Sequence, residues 1–177
     1  MEVWLVAQLV GVLALVFSVL IYQVPKRRDM LLMRVAASST FVIHFALLQA
    51  WTGSLLNGVA AVRTAIFRER TRKKWAASYA WLYGFLAVAW LVTWLTWDGW
   101  KSLLPLFGLT VGTIGYWVKN PTRIRLLNLS VSPAWFWYDY IVGSYPGMIV
   151  EIFITASILV GIWRFDIKKQ KENKEIN

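Results

Sequence analysis

The chain has 177 residues, of which 58% are hydrophobic and 16% charged, and its net charge is +10. Ordinary soluble domains carry about 25% charged residues, so the composition excludes a soluble globular domain and implies a membrane protein with almost no soluble part. The lack of cysteine excludes disulfides, thiolate metal sites and cysteine nucleophiles, and the lone histidine, His44, leaves no basis for a multi-histidine metal or haem site. No cofactor is expected.

A membrane-spanning helix needs about 20 mainly apolar residues. Such stretches recur along the chain and predict spans at 3–24, 30–49, 52–67, 75–96, 102–118, 126–143 and 146–165. The first, VWLVAQLVGVLALVFSVLIYQV, has no basic leading region and no small-residue cleavage site. Its basic cluster, PKRRD, follows the apolar run, so it reads as a retained span rather than a signal peptide. The second span carries Arg34 and His44. The third opens at Gly53, holds Asn57 and Arg63, and runs into RERTRKK. DGWK precedes the fifth, KNPTRIR the sixth and SYPG the seventh, which holds Glu151. Pro105 and Pro133 fall within the fifth and sixth spans, where proline is expected to kink a helix and free a carbonyl. The basic tail, 167–177, reads as a solvated end.

With the N-terminus outside, every lysine and arginine except Lys101 falls on or toward the inner side. That is a positive-inside pattern. The positive charge therefore reads as a topological device aided by anionic membrane lipid, not as a nucleic-acid footprint. Arg34 and Arg63, inside spans but nearer their inner ends, are expected to snorkel to the inner surface. Tryptophans at positions 4, 51, 97 and 100 outside, and 75, 117 and 163 inside, form the expected interfacial belt. Trp135 and Trp137 lie instead near the middle of the sixth span.

The chain also matches itself at an offset of 94 residues: Tyr22 meets Tyr116, Leu32 meets Leu126, Ser38 meets Ser132 and Gly53 meets Gly147. Spans one to three then map onto spans five to seven in the same orientation. The fold expected is an all-α transmembrane bundle, one domain over 1–166. Two parallel three-helix units, 3–67 and 102–165, are joined by an inverting linker helix, 75–96. Parallel repeats of this kind are a known transporter plan. Ala14 and Ser18 correspond to Gly108 and Gly112, each pair spaced for close helix packing.

At this offset Glu151 is the counterpart of Asn57, and Tyr138, beside Asp139, is the counterpart of His44. His44, Asn57, Asp139 and Glu151 lie a few residues from the outer ends of their helices, at a shared depth of roughly 6–9 Å. A carboxylate facing lipid costs about 2.5–3.5 kcal/mol near a helix centre, so such residues are expected to face the bundle interior. His44, Asn57, Trp135, Asp139 and Glu151 are the candidate solute-binding residues. Interhelical hydrogen bonding is the competing structural role.

The runs AQLVGVLALVFSVLIYQ, FVIHFALLQAWTGSLLNGVAAVRTAIF and YPGMIVEIF resemble the YgjV-like family of bacterial inner membrane proteins over about residues 4–165. Its more specific elements are the His-Phe-x-Leu-Leu run at His44–Leu48, the pair Leu56–Asn57 with Arg63 beyond, and the Gly-Met-Ile-x-Glu run at Gly147–Glu151. Gln49 stands where the resemblance implies glycine. The family implies a multi-pass protein of the inner membrane and no known activity. The architecture is also similar to SWEET and other PQ-loop carriers, without their Pro-Gln motif. The resulting expectation is a carrier of a small polar solute, not an enzyme. The alternative is a membrane scaffold that binds a protein or anionic lipid through its basic inner face.

Overall fold

A computed structural model describes residues 2–21, 27–117 and 121–163. Tyr22, the connection at 22–26 and the tail at 167–177 lie outside the described residues. The described chain is all-α, with helices α1 (Glu2–Leu20), α2 (Arg27–Leu47), α3 (Trp51–Glu69), α4 (Tyr79–Leu95), α5 (Leu103–Trp117), α6 (Pro121–Val142) and α7 (Tyr145–Gly161). Short 3-10 turns precede α4 and α5. These bounds fall within a few residues of the seven apolar runs in the sequence.

The stops between helices follow from local chemistry. The Ser78 side chain accepts the Ala80 N–H and caps α4, and Ser144 accepts the Gly147 N–H and caps α7. α2 and α6 end in the same turn. Gln49 N–H donates to Ala46 O and Ala50 N–H to Phe45 O at 2.8 Å; Gly143 N–H donates to Tyr140 O and Ser144 N–H to Asp139 O at 2.8 Å. In each case a residue of the turn just past the helix takes a left-handed φ, 58° at Gln49 and 74° at Gly143. This is the glycine-favouring helix stop, and Gln49 occupies it without the freedom that Gly143 has. Pro105 sits in the first turn of α5, where its missing N–H would have no intrahelical partner. It therefore needs no kink, contrary to the expectation from sequence. Pro133 does lie in the interior of α6.

α1, α2 and α3 pack in sequence, as do α5, α6 and α7; α1 also packs on α7, and α3 on α5. α4 rests on α3 and α5. Two apolar clusters hold it there: Leu56, Ala89, Leu106 and Leu109, and further along Phe67, Leu82, Phe85 and Trp117. A third cluster of Phe45, Ala50 and Tyr138 fills the end of the bundle where α3 and α7 begin. That end is called the braced end below. The opposite end, where α3 stops and α4 starts, carries Arg70, Arg72, Lys73 and Lys74 and is called the basic end.

Polarity is inverted relative to a soluble protein. Leu9, Trp94 and Leu95 are 70%, 74% and 67% exposed, while His44, Thr64, Arg63 and Asp139 are buried. Among the described residues, α1 and the Asp29–Leu47 part of α2 are long and apolar enough to cross a membrane by length and composition.

Candidate functional site

Between the two groups of helices lies a cavity of about 890 Å³. It runs from Phe45 and Asp139, below the braced end, to the exposed residues Thr71 and Ala77 at the basic end. Polar side chains reach its wall from six helices, with Ser18 contributed by α1. Arg34 and Ser38 come from α2, Asn57 and Arg63 from α3, Tyr116 from α5, Asn128, Ser132 and Asp139 from α6, and Glu151 from α7.

Of the residues singled out from sequence, Asn57, Trp135, Asp139 and Glu151 line this cavity. Asn57 Nδ2 donates to Gly53 O at 2.9 Å, one turn back on its own helix. Ser132 stands within hydrogen-bonding reach of the Glu151 carboxylate, and Arg34 lies in its field. Asp139 is 2% exposed, interacts electrostatically with Glu151, and leaves Oδ1 without a hydrogen-bond partner. Its carboxyl packs against Gly147, where an added Cβ would collide with it. The Trp135 indole lies over Gly108 in the same way.

His44 does not reach the cavity. Its ring is fully buried, with Nδ1 2.7 Å from Ala7 O and Nε2 2.8 Å from Ser144 Oγ. A carbonyl only accepts, so Nδ1 carries the proton and Nε2 accepts from the serine hydroxyl. Both ring nitrogens are thereby used in joining α1, α2 and α7, and His44 is a brace rather than a solute ligand. Tyr138, its counterpart at the 94-residue offset, does the corresponding work in the other direction: its hydroxyl accepts the Gly53 N–H at 2.9 Å. Trp137 faces outward and is 56% exposed.

Arg63 also departs from the sequence expectation. It does not snorkel to a surface but is 2% exposed in the cavity wall. One Nη donates to Thr113 Oγ1 at 2.7 Å, and the guanidinium lies 5.0 Å from the Tyr116 ring centroid. Arg34 approaches the same ring at 5.8 Å. Position along a helix could not reveal this, because depth does not say which way a side chain turns. The signal available was the small face of Gly108 and Gly112, read from sequence as helix packing. In the structure Gly108 receives Trp135, and Gly112 lies beneath the Arg63 guanidinium.

A second, shallower cavity of about 560 Å³ opens at the braced end, lined by Gln49, Trp51, Trp97, Asp98, Lys101 and Tyr138 among others. The two cavities are separated by an aromatic layer. Phe45 and Trp135 face the large one and Tyr138 the small one, with ring centroids 5.7–6.2 Å apart.

An all-α bundle with apolar flanks and a polar interior is the architecture of a membrane protein. The family model for the Imp-YgjV bacterial inner membrane proteins matches residues 5–169, and the chain belongs to that family. No curated protein and no solved structure matches it.

Proposed function

We propose that the protein is a multi-pass carrier or facilitator for a small polar solute. In this reading all seven helices cross the membrane, the N-terminus is outside, and the basic end is cytoplasmic. The carrying observation is the pair of cavities separated by a single aromatic layer. The large cavity would be a solute site open to the cytoplasm. Phe45, Trp135 and Tyr138 would close it on the outer side. Two unwound or kinked elements are not required, since moving one three-helix unit against the other would open the layer.

The two-unit reading is supported by the matched turns at Gln49 and Gly143, and by the reciprocal packing of α1 on α7 and α3 on α5. Asn57 and Glu151, matched at the 94-residue offset, both line the large cavity, as do Ser38 and Ser132. The scaffold alternative rests on the basic inner face, where among the described residues Arg72, Lys73 and Lys74 are exposed and Arg70 is half-buried, and a positive-inside pattern accounts for these charges without a partner.

The lack of native cysteine makes the reading testable. Ser38→Cys, Asn57→Cys, Ser132→Cys and Glu151→Cys are treated with a membrane-impermeant thiol reagent in intact cells and in inside-out vesicles. Leu55→Cys and Ile152→Cys, on exposed apolar faces, are the controls. The four cavity positions are expected to label in inside-out vesicles and the controls from neither side. Protection of all four from both sides removes the solute cavity and returns the scaffold as the better reading.

A further inference from the structure

We propose that the large cavity takes a ligand bearing one carboxylate, and that Arg63 is its anchor. This rests on the carrier reading above and names the class of solute. Three observations carry it.

The first is charge without a counter-charge. A guanidinium stays protonated in proteins, and a buried charge is costly unless it is paired and fully hydrogen-bonded. Arg63 is 2% exposed. Its contacts are a hydroxyl, Thr113 Oγ1 at 2.7 Å, a carbonyl, Leu109 O at 3.5 Å, and the face of Tyr116. All are neutral, and its Nε has no partner. The ion pairs of Arg68 with Glu69 and of Lys101 with Asp98 do not involve Arg63.

The second is that the other cavity cations are differently placed. Arg34 lies in the field of Glu151. Arg70, half-buried at the mouth, stacks 3.7 Å from the Trp117 ring centroid and donates to Trp117 O. Among the described residues, Arg63 is therefore the cavity cation that is fully buried with only neutral groups in contact. Its planar fork of donors suits a carboxylate in two-point contact. Thr113 fixes the fork, since its hydroxyl donates to Leu109 O at 2.6 Å and so presents a lone pair to Arg63.

The third limits the ligand's charge. Asp139 and Glu151 occupy the closed end of the same cavity. A second acidic group on the ligand would lie against two carboxyl groups and, among the described residues, meet no cation at that end, so a monoanion is favoured over a dicarboxylate or a phosphate dianion.

The full-length protein in lipid nanodiscs is assayed by thermal unfolding with lactate, its neutral isostere lactamide, the dianion succinate, and octanoate. Flux of radiolabelled lactate and lactamide is followed in parallel in proteoliposomes. Lactate at ten times its half-saturating concentration is expected to raise Tm by about 3–6 °C. Succinate has a smaller effect and lactamide none. Arg63→Gln is expected to abolish the lactate shift. Arg63→Lys weakens it about tenfold while still telling lactate from lactamide.

Equal stabilisation by lactate and lactamide overturns the proposal, as does an unchanged lactate shift in folded Arg63→Gln, or no shift with any probe. If Arg63→Gln does not fold, unaltered lactate affinity in both Arg63→Lys and Thr113→Val overturns it. A shift with octanoate but not lactate, lost in Arg63→Lys, supports the carboxylate anchor and assigns the carboxylate to a membrane lipid. Lactate binding without lactate flux supports the anchor and removes the carrier. Lactamide flux without any carboxylate effect keeps the carrier and overturns the anchor.

Discussion

The hydroxyl of Tyr138, near the end of α6, accepts the Gly53 N–H at the start of α3 at 2.9 Å, so one side chain both caps a helix and forms part of the aromatic layer between the two cavities. Gly53 is required for this approach, because an added Cβ would run into the phenol. Tyr138→Phe keeps the ring and removes the acceptor. It is expected to cost about 1–2 kcal/mol, the penalty of a buried N–H left without a partner. In the carrier reading the brace also holds the layer shut. Asn57→Cys combined with Tyr138→Phe is therefore expected to label faster from outside intact cells than Asn57→Cys alone. Equal labelling rates would detach the brace from the closure of the layer.

His44 and Ser144 form the matching brace on α7, and the chemistry there assigns His44 a structural role. A double-mutant cycle with His44→Ala and Ser144→Ala, read as Tm in nanodiscs, is expected to give a coupling of about 0.5–1.5 kcal/mol. The KM for any transported solute is expected to stay at the wild-type value in Ser144→Ala. A raised KM there, with Tm unchanged, would place this pair in the solute path.

The helices and their order were legible in the sequence because apolar runs of span length are broken by glycine, proline and charge. Asn57, Asp139 and Glu151 could be found as a group because helix rise converts residue count into depth. Rotation about the helix axis was not legible. When a helix is apolar nearly all round, as α5 and α7 are, no stripe marks the inward face. On α3 and α2 depth alone was likewise no guide to direction: Arg63 was expected at the surface and lies in the cavity wall, and His44 was expected in the cavity and lies outside it. Ser38 and Ser132 were visible only as a repeat match, since serine in an apolar helix carries no sign of what it faces.

The turns that end α2 and α6 differ in one residue that decides their strain. Gln49 holds φ 58° with a side chain, where Gly143 holds φ 74° without one. The left-handed conformation costs an ordinary residue about 1–2 kcal/mol, and glycine returns part of that gain through its freer unfolded chain. Gln49→Gly is expected to stabilise the protein by about 0.5–1 kcal/mol. Gly143→Ala is expected to destabilise it by about 1 kcal/mol. A Cβ at Gly143 would meet nothing within 4 Å, so its effect isolates backbone strain from packing. Opposite signs in thermal unfolding check the pair. A destabilised Gln49→Gly would mean that the glutamine side chain contributes more than its backbone costs.

Gly108 controls where Trp135 can stand. The indole lies directly over this glycine, and behind it Phe45 and Tyr138 close the way at ring separations of 6.2 and 6.0 Å. A methyl group at position 108 must therefore move the indole, and the open direction is into the cavity that Trp135 already lines. Gly108→Ala is expected to lose about 1–3 kcal/mol to overpacking and to lower solute flux more than its stability loss explains. Gly84, on α4 with nothing within 4 Å of an added Cβ, is the control. Gly84→Ala gains about 0.5–1 kcal/mol of helix stability and leaves flux unchanged. Gly108→Ala combined with Trp135→Phe, which shortens the ring, is expected to recover flux. Recovery of stability without flux would mean that Trp135 itself contacts the solute. Recovery of neither would place the collision in the backbone of α5 and α6 rather than in the indole.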